Sequence, residues 1–214
     1  MLPLRGPPRV AALLLPPLQL RRGRRPARSA PGHERFLKAD AEARATFEEL
    51  NLPYATIEDL VDRPTGFRIQ REPLDLAGES FTEDGTAAVK RLLADFPTAR
   101  LGHLGLHLQP NAWFHFSADH AVTFAVIPLA ADRTLVRTTW LVHADAEEGV
   151  DYDLDALTKV WEVTNEQDAV FVERAQAGIG SPAYAPGPYS PTESQVEDFV
   201  RWYINRLRAH LEGS

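Results

Sequence analysis

The chain has 214 residues, 44% of them hydrophobic and 25% charged, enough for one well-buried domain and a tail. It contains no cysteine, which excludes disulfides, thiolate nucleophiles and any iron–sulfur or zinc site held through Cys. A net charge of −7 argues against nucleic acid as the main partner, and no apolar run approaches the roughly 20 residues that span a bilayer.

The net charge hides a break. Residues 1–32 carry seven arginines (Arg5, Arg9, Arg21, Arg22, Arg24, Arg25, Arg28), seven of the 17 prolines and no acid. The rest of the chain holds 16 basic against 30 acidic groups, a balance of −14. Two unlike sequences are joined near Gly32. Met1–Gly32 has neither helical nor strand periodicity, and its apolar run Ala11–Leu15 is broken by Pro16 and Pro17. Three readings compete: a targeting peptide, a basic disordered arm, or an out-of-frame translation of a GC-rich gene. The third is favoured, and no stable fold is expected under any of them.

From Phe36 to Leu50 apolar residues recur at loose helical spacing, and Asn51-Leu52-Pro53 stops the helix. Phe67–Leu74 alternates as a strand, and Thr86–Asp95 reads as a short helix. Strand-like runs follow at Leu101–Leu108, Trp113–Phe116, Val122–Pro128 and Thr134–Val142, the last two joined as a hairpin through Ala130–Arg133. After the acidic loop Asp145–Asp153, a long helical pattern spans Leu154–Ala177 and ends at Gly178 and Gly180. A Pro- and Tyr-rich loop, Ser181–Pro191, precedes an amphipathic helix over Thr192–Glu212 with Val196, Phe199, Val200, Tyr203, Ile204 and Leu207 on one side. An antiparallel sheet followed by long helices predicts an α+β domain with the helices on one face.

Asp168 is the unusual residue of the long helix. At 100° per residue it lies about 20° from Leu157 and about 20° from Trp161, at the centre of the apolar stripe. A buried unpaired carboxylate costs several kcal/mol, so it is expected to be paired, neutralised or bound to a metal. An ion pair with a core arginine or a hydrogen bond to a tyrosine is the bland alternative. Two histidines and a carboxylate can hold Fe(II) as a facial triad. His103 and His107, four apart on a strand, share one face and supply one candidate set with Asp168; histidines hydrogen-bonded within a sheet are the other reading. His115 and His120 point to opposite faces unless a turn at Ser117-Ala118-Asp119 intervenes.

Four segments carry a resemblance. They are Asn111–His120, Trp140–His143 before Glu148–Asp153, the helix Trp161-Glu-Val-Thr-Asn-Glu-Gln-Asp168, and Ser181–Ser190. Together they resemble the C-terminal catalytic domain of Rieske-type, ring-hydroxylating oxygenase α subunits, over about Phe36–Leu211. The branch most similar oxidises glycine betaine and choline. The resemblance implies a helix-grip (START/Bet v1-like) fold, a sheet wrapped around a long helix, over residues 33–214. It implies that Asp168 matches the family's carboxylate ligand to a mononuclear Fe(II). It also implies a parent reaction, the O₂-dependent oxidation or N-demethylation of a quaternary ammonium compound, in a cytoplasmic enzyme.

The departures define the expected limits. The family's 2Fe–2S cluster needs Cys–His pairs, and this chain has no cysteine. The family's two histidine ligands lie upstream of the matched part, where only His33 stands nearby, so His103 and His107 are set aside as ligands. An incomplete oxygenase domain that does not retain iron is the leading expectation. A helix-grip ligand-binding module without redox chemistry is its rival, and a non-catalytic subunit assembling with intact α subunits, trimeric in this family and served by a reductase, is the third. Trp113, Phe114, Phe116, Trp140 and Trp161 are candidates for an aromatic wall that takes a methylammonium group.

Overall fold

The computed structural model describes residues 2–5, 33–54, 57–59, 66–74, 78–130, 133–190 and 193–213. In chain order these form β1 (Leu2–Arg5), α1 (His33–Glu49), β2 (Ile57–Asp59), β3 (Phe67–Glu72), β4 (His103–Leu108), β5 (Ala112–Phe116), β6 (Ala121–Ala130), β7 (Arg133–Leu141), α2 (Leu154–Ile179) and α3 (Ser194–Glu212). The described strands pair antiparallel in one sheet of order β1-β7-β6-β5-β4-β3-β2. Helix α2 lies against one face of it, with Trp161 on His115 and Phe124 and with Asn165 Nδ2 donating to Thr138 Oγ1 at 3.0 Å. This is the α+β helix-grip arrangement. No described helix is long and apolar enough to cross a membrane.

The long alternating runs became the strands expected of them, because one face of each is covered. The hairpin β6–β7 keeps register from Ala121 opposite Leu141 to Pro128 opposite Thr134 and shifts by one residue before Ala130 pairs with Arg133. Helix α1 is anchored by Phe47, 1% exposed, and closes at Asn51 with φ 52°, a left-handed conformation that asparagine tolerates better than most residues. Asp153 caps α2 by accepting from the Ala156 amide at 2.9 Å. On α3, Trp202 is buried and Phe199, Val200, Tyr203 and Ile204 are half-buried, but Val196 and Leu207 of the expected apolar side are exposed.

Two elements differ from expectation. Strand β1 forms on the edge strand β7 through Leu2–Arg5, within a segment whose sequence showed no strand pattern; residues 6–32, where the absence of a stable fold was expected, lie outside the described residues. Thr86–Asp95 is not a helix. Its amides are taken by groups other than the carbonyl four residues back: Thr86 by Asp84, Ala87 by Glu79, Ala88 and Val89 by Asp119, Lys90 by the Asp151 carbonyl and Leu93 by the Ala118 carbonyl. Tertiary acceptors have outcompeted the helical ladder.

Candidate functional site: the cleft between the sheet and the long helix

Strand register sorts the side chains by face. His115 and Phe124 touch Trp161 and Thr138 bonds Asn165, so their cross-strand partners share the face toward α2. That face carries Arg68, Gln70 and Glu72 on β3, His103 and His107 on β4, Trp113 and His115 on β5, Val122 and Phe124 on β6, and Thr138 and Trp140 on β7. Phe114 and Phe116 stand on the opposite face, their rings stacked on each other with centroids 6.2 Å apart. They are removed from the expected aromatic wall, since one residue of offset on a strand reverses the face. Phe81 and Phe124 replace them. Phe124 alternates in phase with Trp113 and was legible in the pattern, whereas Phe81 sits on a loop with no periodicity to mark it.

The wall is continuous. Trp161 lies 4.6 Å from His115, 5.2 Å from Phe124 and 5.4 Å from Phe81, between ring centroids, and Trp113 stacks on Phe124 at 5.1 Å. Apart from Phe124, these residues are only half-buried, so solvent reaches this aromatic face between the sheet and α2 and it is not a closed core. The indole N–H groups of Trp140 and Trp161 are shielded from solvent and have no acceptor among the described residues. Along the β3 side, Arg68 donates to Gln70 and Gln70 donates to Glu72.

His103 Nε2 and His115 Nδ1 approach to 2.7 Å, with the rings stacked 4.8 Å apart. Burial, then the neighbouring His115, Arg71 and His107, lower the His103 pKa to about 4. Burial and His107 lower that of His115 to about 4. Both rings are therefore neutral at physiological pH. His103 and His107 do share one face, as their spacing required.

A second polar cluster supports the cleft from behind. The turn Ser117–His120 joins β5 to β6 and brings Asp119 and His120, 0% and 1% exposed, against Ser80. Ser80 Oγ donates to Asp119 Oδ1 at 2.7 Å and lies 3.3 Å from His120 Nδ1, which is 3.1 Å from Asp119 Oδ2. Burial pushes the Asp119 carboxyl up, but His120, Ser80 and the Ala88 amide outweigh it and hold the group below its ordinary range. This Ser–Asp–His contact fixes the loop that presents Phe81, the residue after Ser80.

Asp168 lies outside both clusters. Its side chain is exposed, contrary to the burial expected of it. The stripe it belongs to does face the sheet at Leu157, Thr158, Trp161 and Asn165. Beyond Asn165, however, the described residues do not cover the helix, and Val170, Phe171 and Val172 are exposed with it. No ion pair to Asp168 occurs among the described residues. Nor do any three His, Asp or Glu side chains among them converge as metal ligands. The described donors do not make a complete iron site.

A family model described as ring hydroxylating alpha subunit (catalytic domain) matches residues 40–209. The glycine betaine monooxygenase oxygenase subunit of Chromohalobacter salexigens is 47% identical over 147 residues, 68% of this chain and 33% of that protein. The subunit of the same name from Pseudomonas aeruginosa is 45% identical over 145 residues, 67% of this chain and 34% of its own length. The chain spans about a third of the length of the curated relatives it matches.

Proposed function

Since the chain belongs to the family of ring-hydroxylating oxygenase α subunits, through their catalytic domain, we propose that it supplies the substrate-binding part of an oxygenase acting on a small quaternary ammonium compound such as glycine betaine. The observation that carries this reading is the aromatic cleft of Trp161, Phe81, Phe124 and Trp113. Ring faces attract an ammonium through their quadrupoles, and a methylated ammonium has no N–H to demand hydrogen bonds. Neutral histidines beside it add no opposing charge.

In the same reading, Asp168 is the carboxylate ligand to Fe(II), and residues 33–214 are the domain, with residues 1–32 a separate segment. The parent reaction is the O₂-dependent oxidation or N-demethylation of the bound compound in a cytoplasmic enzyme. In the parent family the electrons would come from a 2Fe–2S cluster, which this cysteine-free chain does not hold, and from a reductase, and the α subunits would assemble as a trimer. This chain's own contribution is to bind and orient the ligand against an aromatic wall. The test is tryptophan fluorescence of the purified chain titrated with glycine betaine and with benzoate. Saturable quenching by glycine betaine, and a rise in thermal midpoint at saturation, are expected. Equal or tighter binding of the neutral-walled cleft to benzoate overturns the assignment.

A further inference from the structure

Resting on that reading of the cleft, we infer that the His103–His115 pair is its specificity element, donating a ring N–H to the carboxylate of a zwitterionic ligand whose methylammonium end lies against Trp161, Phe81 and Phe124.

The chemistry follows from proton counting. Two neutral imidazoles carry two N–H groups between them. The 2.7 Å contact between His103 Nε2 and His115 Nδ1 uses one of these. The outer nitrogens, His103 Nδ1 and His115 Nε2, then share the remaining proton, so one donates and the other accepts. Exchanging these roles with both rings neutral moves two protons together, the one in the contact to the other ring and the outer one from His115 Nε2 to His103 Nδ1 or the reverse through solvent, so that each ring changes tautomer. The pair thus offers a donor to a carboxylate from either ring.

A ligand with both charges needs such a site. A lysine or a charged histidine beside the aromatic wall would repel the ammonium. An apolar wall alone would leave the carboxylate without a donor, at a cost that a hydrogen bond to a charged group offsets. The stacked pair meets both demands: its rings continue the wall, with Phe81 4.8 Å from His103 and Trp161 4.6 Å from His115. The shielded Trp161 N–H, without an acceptor among the described residues, is a further donor in the same wall. Arg68 is the competing anion site on this face, but it is engaged with Gln70 along β3.

The 214-residue chain is titrated with glycine betaine, choline and tetramethylammonium, as wild type and as His103→Phe, His115→Phe and Arg68→Gln. Phenylalanine keeps the stack and removes the nitrogens. The wild type is expected to prefer glycine betaine over tetramethylammonium by about tenfold or more, the value of one hydrogen bond to a charged group, with choline between. Either histidine variant brings the two affinities to within about threefold, and Arg68→Gln keeps the preference. A preference abolished by Arg68→Gln and kept in the histidine variants overturns the inference. Histidine-ring ¹⁵N shifts of the wild type supply a readout that does not depend on the variants folding. Glycine betaine must move the ring signals of His103 or His115 while tetramethylammonium leaves them in place; silent rings overturn the inference. If the three ligands all bind but without preference, the inference fails and the cleft assignment stands. If none binds, both fail.

Discussion

Asp119 shows how one residue can hold a loop without regular structure. Its carboxylate accepts from Ser80 and from the Ala88 and Val89 amides, and it faces His120. Those amides fall in the first turn of a helix over Thr86–Asp95, where no helical carbonyl would reach them; the ladder itself is lost at Lys90 and Leu93, whose amides go to the Asp151 and Ala118 carbonyls. Removing the acid leaves the first-turn amides and His120 buried without their partner. Asp119→Ala is therefore expected to cost about 1–3 kcal/mol in urea unfolding, the range for leaving buried hydrogen-bonding groups without their partner. A cost below about 1 kcal/mol would show that water replaces the carboxylate and that the network is dispensable. Nearby, Gly102 precedes His103 at φ 63°, and a Cβ there would collide with the Glu72 carbonyl. Only glycine lets β4 start so close to β3.

At the scale of the element, α2 is longer than its cover. Its 26 residues extend about 39 Å at 1.5 Å per residue. Leu157, 2% exposed, belongs to the covered end, whereas Phe171 is 72% exposed. The two ends should respond differently to truncation. Leu157→Ala is expected to cost about 2–5 kcal/mol, while Phe171→Ser should stay within about 0.5 kcal/mol in the same chain. A loss above about 2 kcal/mol for Phe171→Ser would mean that this face is packed in solution. The exposure of Asp168 has the same origin: it sits on the correct stripe but beyond the part of the helix that the described sheet covers.

For the whole molecule, three inward groups shape the response to acid. His103 and His115 ionise near 4 in the fold and near 6.5 when unfolded. Between those values the unfolded chain binds more protons, so stability falls as pH drops from about 6.5 to 4, by at most about 1.4 kcal/mol per pH unit for each ring. Above 6.5 they contribute no slope. Asp119 is shifted the other way, below its ordinary carboxylate range. Its contribution is present above about 4 and is lost as pH falls through the folded value. Urea midpoints at pH 7, 5.5 and 4 should decline in the wild type and flatten in the His103→Gln, His115→Gln double variant. An unchanged slope in that variant would place the titration elsewhere.

The antiparallel strands from Phe67 to Leu141, the three long helices and the family were all legible in the chain, because these rest on periodicities and on motifs such as Asn165–Asp168 that are local in it. The sequence also placed His103 and His107 on one face, since a strand's period is two. Tertiary structure alone decided which histidines meet. His103 pairs with His115 only because the β4–β5 register sets His115 opposite Gly105, which has no side chain to separate the rings. It likewise decided that Thr86–Asp95 yields its amides to Asp119, that Phe81 enters the wall from a loop, and that Asp168 is uncovered. Each of these depends on groups distant in sequence competing for one amide, one ring or one helix face, and no local pattern records the outcome of that competition.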